Sequence, residues 1–452
     1  MMKTNKVITR FAPSPTGNLH IGSVRSAILN WIYSIKFNGD FVLRIDDTDV
    51  ERCKNEFVES IKNDLKWLGI NWSSTFKQSE RLSIYEKNIN FLKENNRIYE
   101  CFESSEELSL KRKSLLSSGK PPIYDRSALK LTKMEKEELK AKGKKSHWRF
   151  FLEDEKISWD DLIRKEVIFE QHNLSDPVII REDGTLLYHL PSVVDDIDSK
   201  ITNIIRGEDH VTNTAFHIQL FKALGSNIPN FGHHPLLLDS EGKGLGKRLG
   251  SLSIADLRKE GYNSITIINY LLTIGTSNNL SSEINKDNII KSFKISHLAR
   301  SSPKFNKADL NKINSDILKK IGFDSVKQEL QDLGVVNPNH DFWELVKNNI
   351  DFIHDTKEWW KIISSKEIFY KNDKEFLNEC SLVLPEEKFT INTWDKWIAN
   401  IKKISQRKNK ELFMPLRLSL TGKEKGPELK FLLPLLSRNL VLFRLTGKDY
   451  DN

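Results

Sequence analysis

Cysteine is scarce in this chain: three residues among 452, Cys53, Cys101 and Cys380, far apart and with no C-x-x-C pair. That excludes a disulfide framework, gives no support to a cysteine-rich zinc site and fits a reducing compartment. Long apolar runs are missing too. Nothing approaches the roughly 20 consecutive apolar residues that span a bilayer, and the opening MMKTNKVITRFAPSP lacks the apolar stretch of a signal peptide. A soluble, cytoplasmic chain with no membrane partner is expected. The commoner phosphate-binding signatures are absent as well. No G-x-x-x-x-G-K-[ST] occurs, and Gly242-Lys243-Gly244-Leu245-Gly246 lacks the glycine spacing of a dinucleotide fingerprint. An ordinary P-loop ATPase and a typical NAD enzyme are thereby excluded. No internal repeat with a period of roughly 20 to 50 residues is evident.

What is present is a large, ordinary globular composition. At about 100 to 200 residues per domain, the length implies roughly three domains, too many for a peptide hormone or a lone binding module. Hydrophobic residues make up 38% and charged ones 29%, too apolar for a disordered polyelectrolyte. The net charge is +8, and residues 401–452 alone hold 12 basic and 5 acidic side chains. A basic C-terminal face fits a polyanionic partner, a solvated Lys-rich surface being the plainer reading of charge alone.

Local pattern is clearest near the start. Val7 to Phe11 reads as a short buried strand and Pro13-Ser14-Pro15-Thr16-Gly17 as a loop. Ile21, Val24, Ile28, Trp31, Ile32 and Ile35 then fall at helical spacing, Gly39-Asp40 stops the helix, and Phe41 to Ile45 returns as a strand. This βαβ unit places loop and helix-end N–H groups at the carboxyl end of a parallel strand, where an anionic ligand such as a nucleotide sits. A second run of the same type follows much later: strand Ile201–Ile205, helix Ala215–Leu224, strand Pro235–Leu238. Between them lie a Lys- and Glu-rich helix expected over Glu106–Lys145 and strand-like runs at Trp148–Leu152, Val167–Phe169 and Pro177–Ile180. The reading is an insertion between two halves of one sheet. From Ala255 onward the pattern is mostly helical, with Ile265, Ile268, Leu271 and Leu272, then Trp394, Trp397, Ile398 and Ile401, at helical spacing, these tryptophans reading as core. Ser301-Ser302-Pro303 marks a domain break.

The chemistry-bearing residues are His20-Ile21-Gly22-Ser23 at the first helix start, Arg10 on the preceding strand, and Lys247-Arg248 in a Gly-rich loop after the last strand. An imidazole at a helix N-terminus can donate to phosphates, and glycine leaves room for a ring to approach the backbone. A lysine on a loop suits phosphoryl or nucleotidyl transfer, where the protein's task is to position groups and neutralise growing negative charge.

In these residues and the segments around them the chain resembles the bacterial-type glutamyl-tRNA synthetases, class I aminoacyl-tRNA synthetases, over nearly its whole length. The resemblance is carried by Arg10-Phe-Ala-Pro-Ser-Pro-Thr-Gly17, Leu19-His-Ile-Gly22, Leu43-Arg-Ile-Asp-Asp-Thr-Asp49, Tyr188-His-Leu-Pro-Ser-Val-Val-Asp-Asp196, Ile205-Arg-Gly-Glu-Asp-His210 and Gly246-Lys-Arg248. Near the C-terminus, Leu412-Phe-Met-Pro-Leu-Arg-Leu418, Leu420-Thr-Gly422 and Gly426-Pro-Glu-Leu429 resemble the family's helical anticodon-binding region.

The resemblance implies an α/β fold: a Rossmann-like parallel-sheet core split by an α/β insertion and followed by α-helical C-terminal domains. It divides the chain into a first catalytic half (1–98), an acceptor-stem-binding insertion (99–192), a second catalytic half with the lysine loop (193–254), a helical stem-contact region (255–302) and an anticodon-binding domain (303–452). It implies catalytic roles for His20, Gly22 and Lys247, and ATP binding by these together with Glu208 and Arg248. Glutamate is held by Arg10 and Arg206, with Ala12, Ser14, Tyr188 and Ser192 lining the pocket and Asp46 receiving the α-ammonium. Lys408, Lys410 and Arg417 contact tRNA. The resemblance further implies that magnesium accompanies ATP on its phosphates, that the chain is monomeric and that activation waits for bound tRNA.

The implied reaction has two steps. The α-carboxylate of glutamate attacks the α-phosphate of ATP, giving glutamyl adenylate and diphosphate; a terminal ribose hydroxyl of tRNA then attacks the mixed anhydride, releasing AMP. Three departures stand out. Asp46 replaces the family's common glutamate, shortening its reach by roughly 1.5 Å. The lysine loop reads Gly244-Leu-Gly-Lys-Arg248, without the family's first lysine and serine, Lys243 standing nearby. The zinc-binding cysteines of some members are missing, Cys101 having no Cys or His nearby in sequence, so no metal site and no zinc are expected. Whether glutamate tRNA, glutamine tRNA or both are charged stays open, and a tRNA-binding paralogue without catalysis is the rival from another class.

Overall fold

The computed structural model describes residues 6–49, 51–170, 174–245 and 252–450. Two compact units divide the chain, one of Met1–Lys259 with Ile267–Asn306 and the other of Glu260–Thr266 with Lys307–Asn452.

The first unit opens with β1 (Ile8–Phe11), α1 (Ile21–Lys36), β2 (Asp40–Ile45), α2 (Asn55–Trp67) and β3 (Ser74–Lys77), then α3 (Leu82–Glu94). β1 pairs parallel with β2, and β2 with β3. Ile21, Val24, Ala27, Ile28, Trp31 and Ile32 bury one wide face of α1, as their spacing predicts. Next come β4 (Ile98–Cys101), α4 (Ser105–Ser117), α5 (Lys133–Ala141), β5 (His147–Phe150), β6 (Lys156–Asp161), β7 (Lys165–Glu170) and β8 (Val178–Ile180). Here β4, β5 and β8 form an antiparallel sheet and β6 and β7 a hairpin. The chain returns through α6 (His189–Asp198), β9 (Asn203–Gly207), α7 (Val211–Ala223) and β10 (Asn230–His234), with β9 and β10 parallel. β9 runs beside β1: Thr202 N–H donates to Ile8 O at 2.9 Å and Ile8 N–H to Thr202 Oγ1 at 2.8 Å. The ladders β3-β2-β1 and β9-β10 are thus two parallel sheets that lie side by side, the two sequence-distant halves meeting where β1 and β9 adjoin. In open α/β folds such a meeting point is where ligands bind.

Two expected elements are corrected. The single helix over Glu106–Lys145 is two, α4 and α5, because Gly119 and Pro121-Pro122 cannot continue the first. Ser104 with Glu107 and Thr132 with Glu135 form capping boxes that start each helix anew. The strand expected at Pro235–Leu238 lies earlier, at Asn230–His234. Pro235 has no N–H for a ladder and ends the strand, while His233 and His234, polar in sequence, are buried within it. Helix α6 also runs across the expected boundary after residue 192.

The second unit is helical from Lys307–Leu318 to Arg438–Thr446. Trp343 and Trp397 are fully buried, their indole N–H groups donating to Ile321 O at 2.8 Å and Cys380 O at 2.9 Å. Trp397 is thus core, as expected, and half-buried Trp394 stands edge-on to it at 5.7 Å. The Gly426-Pro-Glu-Leu429 motif has a steric origin: at Gly426, φ is +147° and a Cβ would lie 2.2 Å from Trp359.

Candidate active site

The loop after β1, the start of α1, the end of β2, the start of α6 and the end of β9 open on one cavity of about 520 Å³. Arg10, Ala12, Ser14, His20, Gly22, Asp46, Tyr188, Ser192 and Arg206, expected from separate segments, all line it. Gly244 and Leu245 line it also, while Lys247 and Arg248 lie outside the described residues.

His20 is the N-cap of α1. Its Nδ1 accepts from Ser23 N–H at 3.3 Å and its Nε2 lies 2.8 Å from Ser23 Oγ. The first turn of α1 carries no acidic residue, so the positive end of the helix faces the cavity uncompensated from within the helix. A Cβ at Gly22 would stand 3.1 Å from the His20 ring, so glycine lets the imidazole lie against the backbone. Downstream chain is fastened here: Ile21 N–H donates to Leu252 O at 3.0 Å and Ile254 N–H to Leu19 O at 2.8 Å. The segment following the lysine loop is thereby held against the first helix start.

Three guanidinium groups share the floor. Arg10 pairs with buried Asp196 through Nε at 3.1 Å and Nη2 at 3.4 Å. Arg44 reaches Asp196 at 2.9 Å, both oxygens of Asp46, and Ser192 Oγ at 3.2 Å. Burial opposes the charge of Arg44, yet Asp46 and Asp196 outweigh it and hold its pKa above the ordinary value. Burial raises the Asp46 carboxyl against the pull of Arg44. Arg206 differs. Its Nη2 donates to Thr214 Oγ1 at 2.7 Å, its Nη1 lies 3.4 Å from His217 Nδ1, and its Nε donates to His233 Nε2 at 3.5 Å. No described carboxylate forms an ion pair with it. Burial and then the neighbouring Arg10 lower its pKa to about 10 against the smaller pull of Tyr188, Asp196 and Asp209, so it remains a cation at neutral pH. Burial likewise brings His189 down to about 4 and His234 to about 3, and pushes His217 well below the ordinary imidazole value. Of these rings His217 is the one that bonds Arg206, and being neutral it offers no counter-charge. Such a site favours an anion.

Other expected site residues lie elsewhere. Glu208 does not line the cavity: its carboxylate accepts from Arg164 at 2.9 Å, Ser302 Oγ at 2.7 Å and Leu236 N–H at 3.1 Å, while neighbouring Asp209 faces in. In the second unit Lys408 and Lys410 are exposed, but Arg417 is half-buried and donates to Pro427 O at 3.0 Å. Burial lowers its pKa, and its Nη1 is buried with no partner among described groups. Arg417 thus holds the Gly426-Pro427 turn. The premise that Cys101 lacks a nearby histidine is corrected: β4–β5 pairing sets His147 opposite it, and the ligand atoms of Cys101, Glu103 and His147 lie within 4.8 Å of one another. Burial pushes the Cys101 thiol up to about 12, so it is protonated as it stands.

Sequence reasoning missed Arg44 and Asp196 as site residues, although both sit inside quoted motifs. An arginine in the apolar run Asp40-Phe-Val-Leu-Arg-Ile45 was the available signal, since a buried charge needs a partner. Thr214, His217 and His233 carried none: His217 fell on a helix with no chemistry assigned, and Thr214 and His233 fell just outside the expected elements.

Residues 6–312 match the family described as tRNA synthetases class I (E and Q), catalytic domain, and residues 299–447 match an anticodon binding domain. The chain is 46% identical over 443 residues to glutamate–tRNA ligase 2 of Orientia tsutsugamushi (strain Boryong), covering 97% of this chain and 99% of that one. It is 45% identical over 444 residues to glutamate–tRNA ligase 1 of Rickettsia bellii (strain OSU 85-389), covering 98% and 100%. The crystal structure of a glutamate tRNA ligase from Elizabethkingia meningosepticum CCUG26117, in complex with its amino acid, superposes with a TM-score of 0.85 at 26% identity over 98% of this chain and 99% of that one. Matched over 97–98% of its length by these relatives, the chain belongs to the glutamate–tRNA ligases, class I aminoacyl-tRNA synthetases.

Proposed function

We propose that this chain activates L-glutamate with ATP and transfers it to the 3′ end of tRNA, releasing AMP and diphosphate. The observation that carries the reading is the convergence of nine expected residues from five separate segments on one cavity. Triphosphate lies at the α1 N-terminus, against His20 and the bare backbone at Gly22. Lys247 and Arg248 neutralise charge growing on the α-phosphate and diphosphate. Magnesium enters on the nucleotide's oxygens and adds positive charge there.

Arg206 takes the side-chain carboxylate of glutamate, supplying a cation that pairs directly with no described carboxylate. The α-ammonium faces Asp46, and Arg10, Ala12, Ser14, Tyr188 and Ser192 complete the walls. Placing the α-carboxylate and α-phosphate together is the larger part of catalysis, since no covalent enzyme intermediate is required. Residues 99–192 lie along the acceptor stem, 255–302 contact the stem, and the exposed lysines of residues 303–452 meet the anticodon arm. Glu208 acts on ATP through its neighbours, given where its carboxylate points. The protein works as a cytoplasmic monomer, with no zinc required for the chemistry at this cavity. Among the described residues no helix is long and apolar enough to cross a membrane.

The test is charging of purified glutamate and glutamine tRNAs, each with labelled glutamate and labelled glutamine, in the presence of ATP and magnesium. Glutamate on the first tRNA alone identifies a discriminating enzyme; glutamate on the second, with or without the first, places it upstream of an amidotransferase. No charging of either, with tRNA binding retained, overturns the catalytic reading in favour of a binding paralogue.

A further inference from the structure

Behind Arg206 runs a chain of hydrogen bonds that ends outside the parallel sheet. Thr214 Oγ1, which accepts from Arg206 Nη2 at 2.7 Å, lies 2.8 Å from His233 Nε2. On the other side of that ring, His233 Nδ1 lies 2.5 Å from Asp161 Oδ2. Asp161 is the last residue of β6, in the insertion, and its Oδ1 accepts from the backbone N–H groups of Ile163, Arg164 and His233 at 3.0, 2.9 and 3.1 Å. Thr214 and His233 have no exposure and Asp161 3%, so solvent does not substitute for any of these contacts.

Donor and acceptor counting fixes the protons. A guanidinium only donates, so Thr214 Oγ1 must offer Arg206 a lone pair, and its single O–H has two acceptors in reach, His210 O at 3.2 Å and, closer, a ring nitrogen at 2.8 Å. His233 Nε2 is that acceptor, and Arg206 Nε donates to the same atom at 3.5 Å. Nε2 must therefore carry no proton, and Nδ1 must carry the one that Asp161 receives. The opposite tautomer, or a doubly protonated ring, would direct an N–H at the guanidinium. Asp161 is a strong enough acceptor to impose this choice: it is buried, yet His233 and three backbone donors hold its pKa at about 2.

We infer that Asp161 and His233 are positioning residues for Arg206, acting through Thr214, and that this insertion-derived relay sets discrimination between a carboxylate and an amide at the end of the substrate side chain. The inference rests on the proposed role of Arg206 as partner of the glutamate side chain. The relay orients the guanidinium by neutral acceptors alone, so no described carboxylate pairs with it directly, Asp196 and Asp209 acting on it from beyond ion-pair distance. A glutamate carboxylate then completes a buried ion pair, whereas glutamine would leave a buried cation unpaired. A carboxylate placed directly against Arg206 would hold it as firmly but would remove that preference. Asp161 is held one imidazole and one hydroxyl away from the cation.

The experiment compares wild type with Asp161→Asn, Thr214→Val and Thr214→Ser in tRNA charging, reading KM and kcat separately for glutamate and for ATP, with glutamine as competitor. Asp161→Asn turns an amide toward His233 and favours the wrong tautomer, and Thr214→Val removes the hydroxyl at nearly constant shape. Both should raise KM for glutamate about tenfold and weaken exclusion of glutamine, while KM for ATP stays within about twofold. Thr214→Ser restores the hydroxyl and should return glutamate KM toward wild type. Where Asp161→Asn lowers the folded fraction by loosening the hairpin, the Thr214 pair carries the test. Unchanged glutamate KM and glutamine exclusion in Thr214→Val, or a fall in kcat alone that follows melting temperature, overturns the positioning role. Wild-type charging is the control that separates the two readings: if wild type does not charge glutamate, the proposed function falls and this inference with it; if it charges normally and Thr214→Val does too, only this inference falls.

Discussion

Arg44 closes a two-pronged clamp on Asp46, Nε to Oδ1 at 2.7 Å and Nη2 to Oδ2 at 3.1 Å. Aspartate at this position sits two residues along the same strand end from its arginine, so the pair forms without any help from substrate. Removing the charge in Asp46→Asn takes away the group proposed to face the α-ammonium and loosens a buried arginine that still keeps Asp196. Glutamate KM should rise by about tenfold or more, and the folded state should lose about 3 kcal/mol, the lower end for breaking a buried pair. Steady-state kinetics and denaturant unfolding check the two effects. An unchanged KM would separate Asp46 from the amino-acid pocket and leave it a partner of Arg44 only.

Gly22→Ala tests the close approach at the helix start. The added methyl would meet Cε1 and Nδ1 of His20 at 3.1 Å, so the ring must move by a few tenths of an ångström. Helix propensity favours alanine over glycine by about 1 kcal/mol, so stability should hold or improve. ATP sees the opposite effect, because a displaced imidazole no longer matches the phosphates. Pyrophosphate exchange should fall by about tenfold or more with no loss of melting temperature. Equal falls in both would point to misfolding instead.

Lys247→Ala addresses the loop that the sequence singled out. A cation that meets charge only as it develops should change the rate of adenylate formation and leave glutamate binding alone, with a drop of about 100-fold or more. Single-turnover formation of glutamyl adenylate measures this directly. Normal charging by Lys247→Ala would remove the loop from the chemistry.

The outline of the fold and most of the pocket were legible because they are written in local patterns. The 3.6-residue spacing of Ile21, Val24, Ile28 and Trp31 gave α1, and contiguous motifs gave Arg10, His20 and Arg206. What stayed hidden depends on contacts between distant segments. His233 and His234 read as polar, so β10 was placed too late; only their burial against β9 and α1 makes a strand of Asn230–His234. Cys101 read as isolated because His147 is 46 positions away, yet antiparallel pairing of β4 and β5 sets them opposite. The bond of Arg417 to Pro427 O at 3.0 Å is likewise invisible in the sequence, where the residue stands only as a motif cation assigned to tRNA. The capping boxes at Ser104 and Thr132 were in the sequence and marked two helix starts within the stretch read as one helix.

Acid should open the first unit before it reaches ordinary carboxylates. His234 is buried, bonded to Ser26 Oγ at 2.7 Å, and its pKa falls from 6.5 to about 3 through burial and then Arg25. A histidine with a lowered folded pKa binds its proton in the unfolded chain first. No penalty exists above pH 6.5; it begins as pH falls through that value and grows until the folded pKa is reached. At pH 5 this one group should cost about 2 kcal/mol, and His217 adds to it in the same direction. Melting temperature measured from about pH 7.5 to 5 should therefore decline steadily, and His234→Asn should flatten part of the slope. A flat profile over that range would mean that these rings are reached by water.

The basic C-terminal region gives a prediction that separates charge from structure. Lys408 and Lys410 are exposed at the start of the helix Asn409–Thr421, whereas Arg417 in the same helix is tied to Pro427 O. A cation that meets phosphate releases counterions on binding, so its loss weakens tRNA affinity and flattens the dependence of log K on log salt by just under one unit per contact. Lys408→Ala with Lys410→Ala should do both while leaving adenylate formation and melting temperature as they are. Arg417→Ala should act differently: it frees the Pro427 carbonyl, loosens the turn whose Gly426 packs on Trp359, and lowers stability with little change in salt slope. Salt titrations of tRNA binding, run beside thermal melts for the two variants, distinguish these outcomes. If Arg417→Ala instead reduced the slope at unchanged stability, its bond to Pro427 would have to exchange for a phosphate in the complex, and the lysines would not be the principal contacts on this helix.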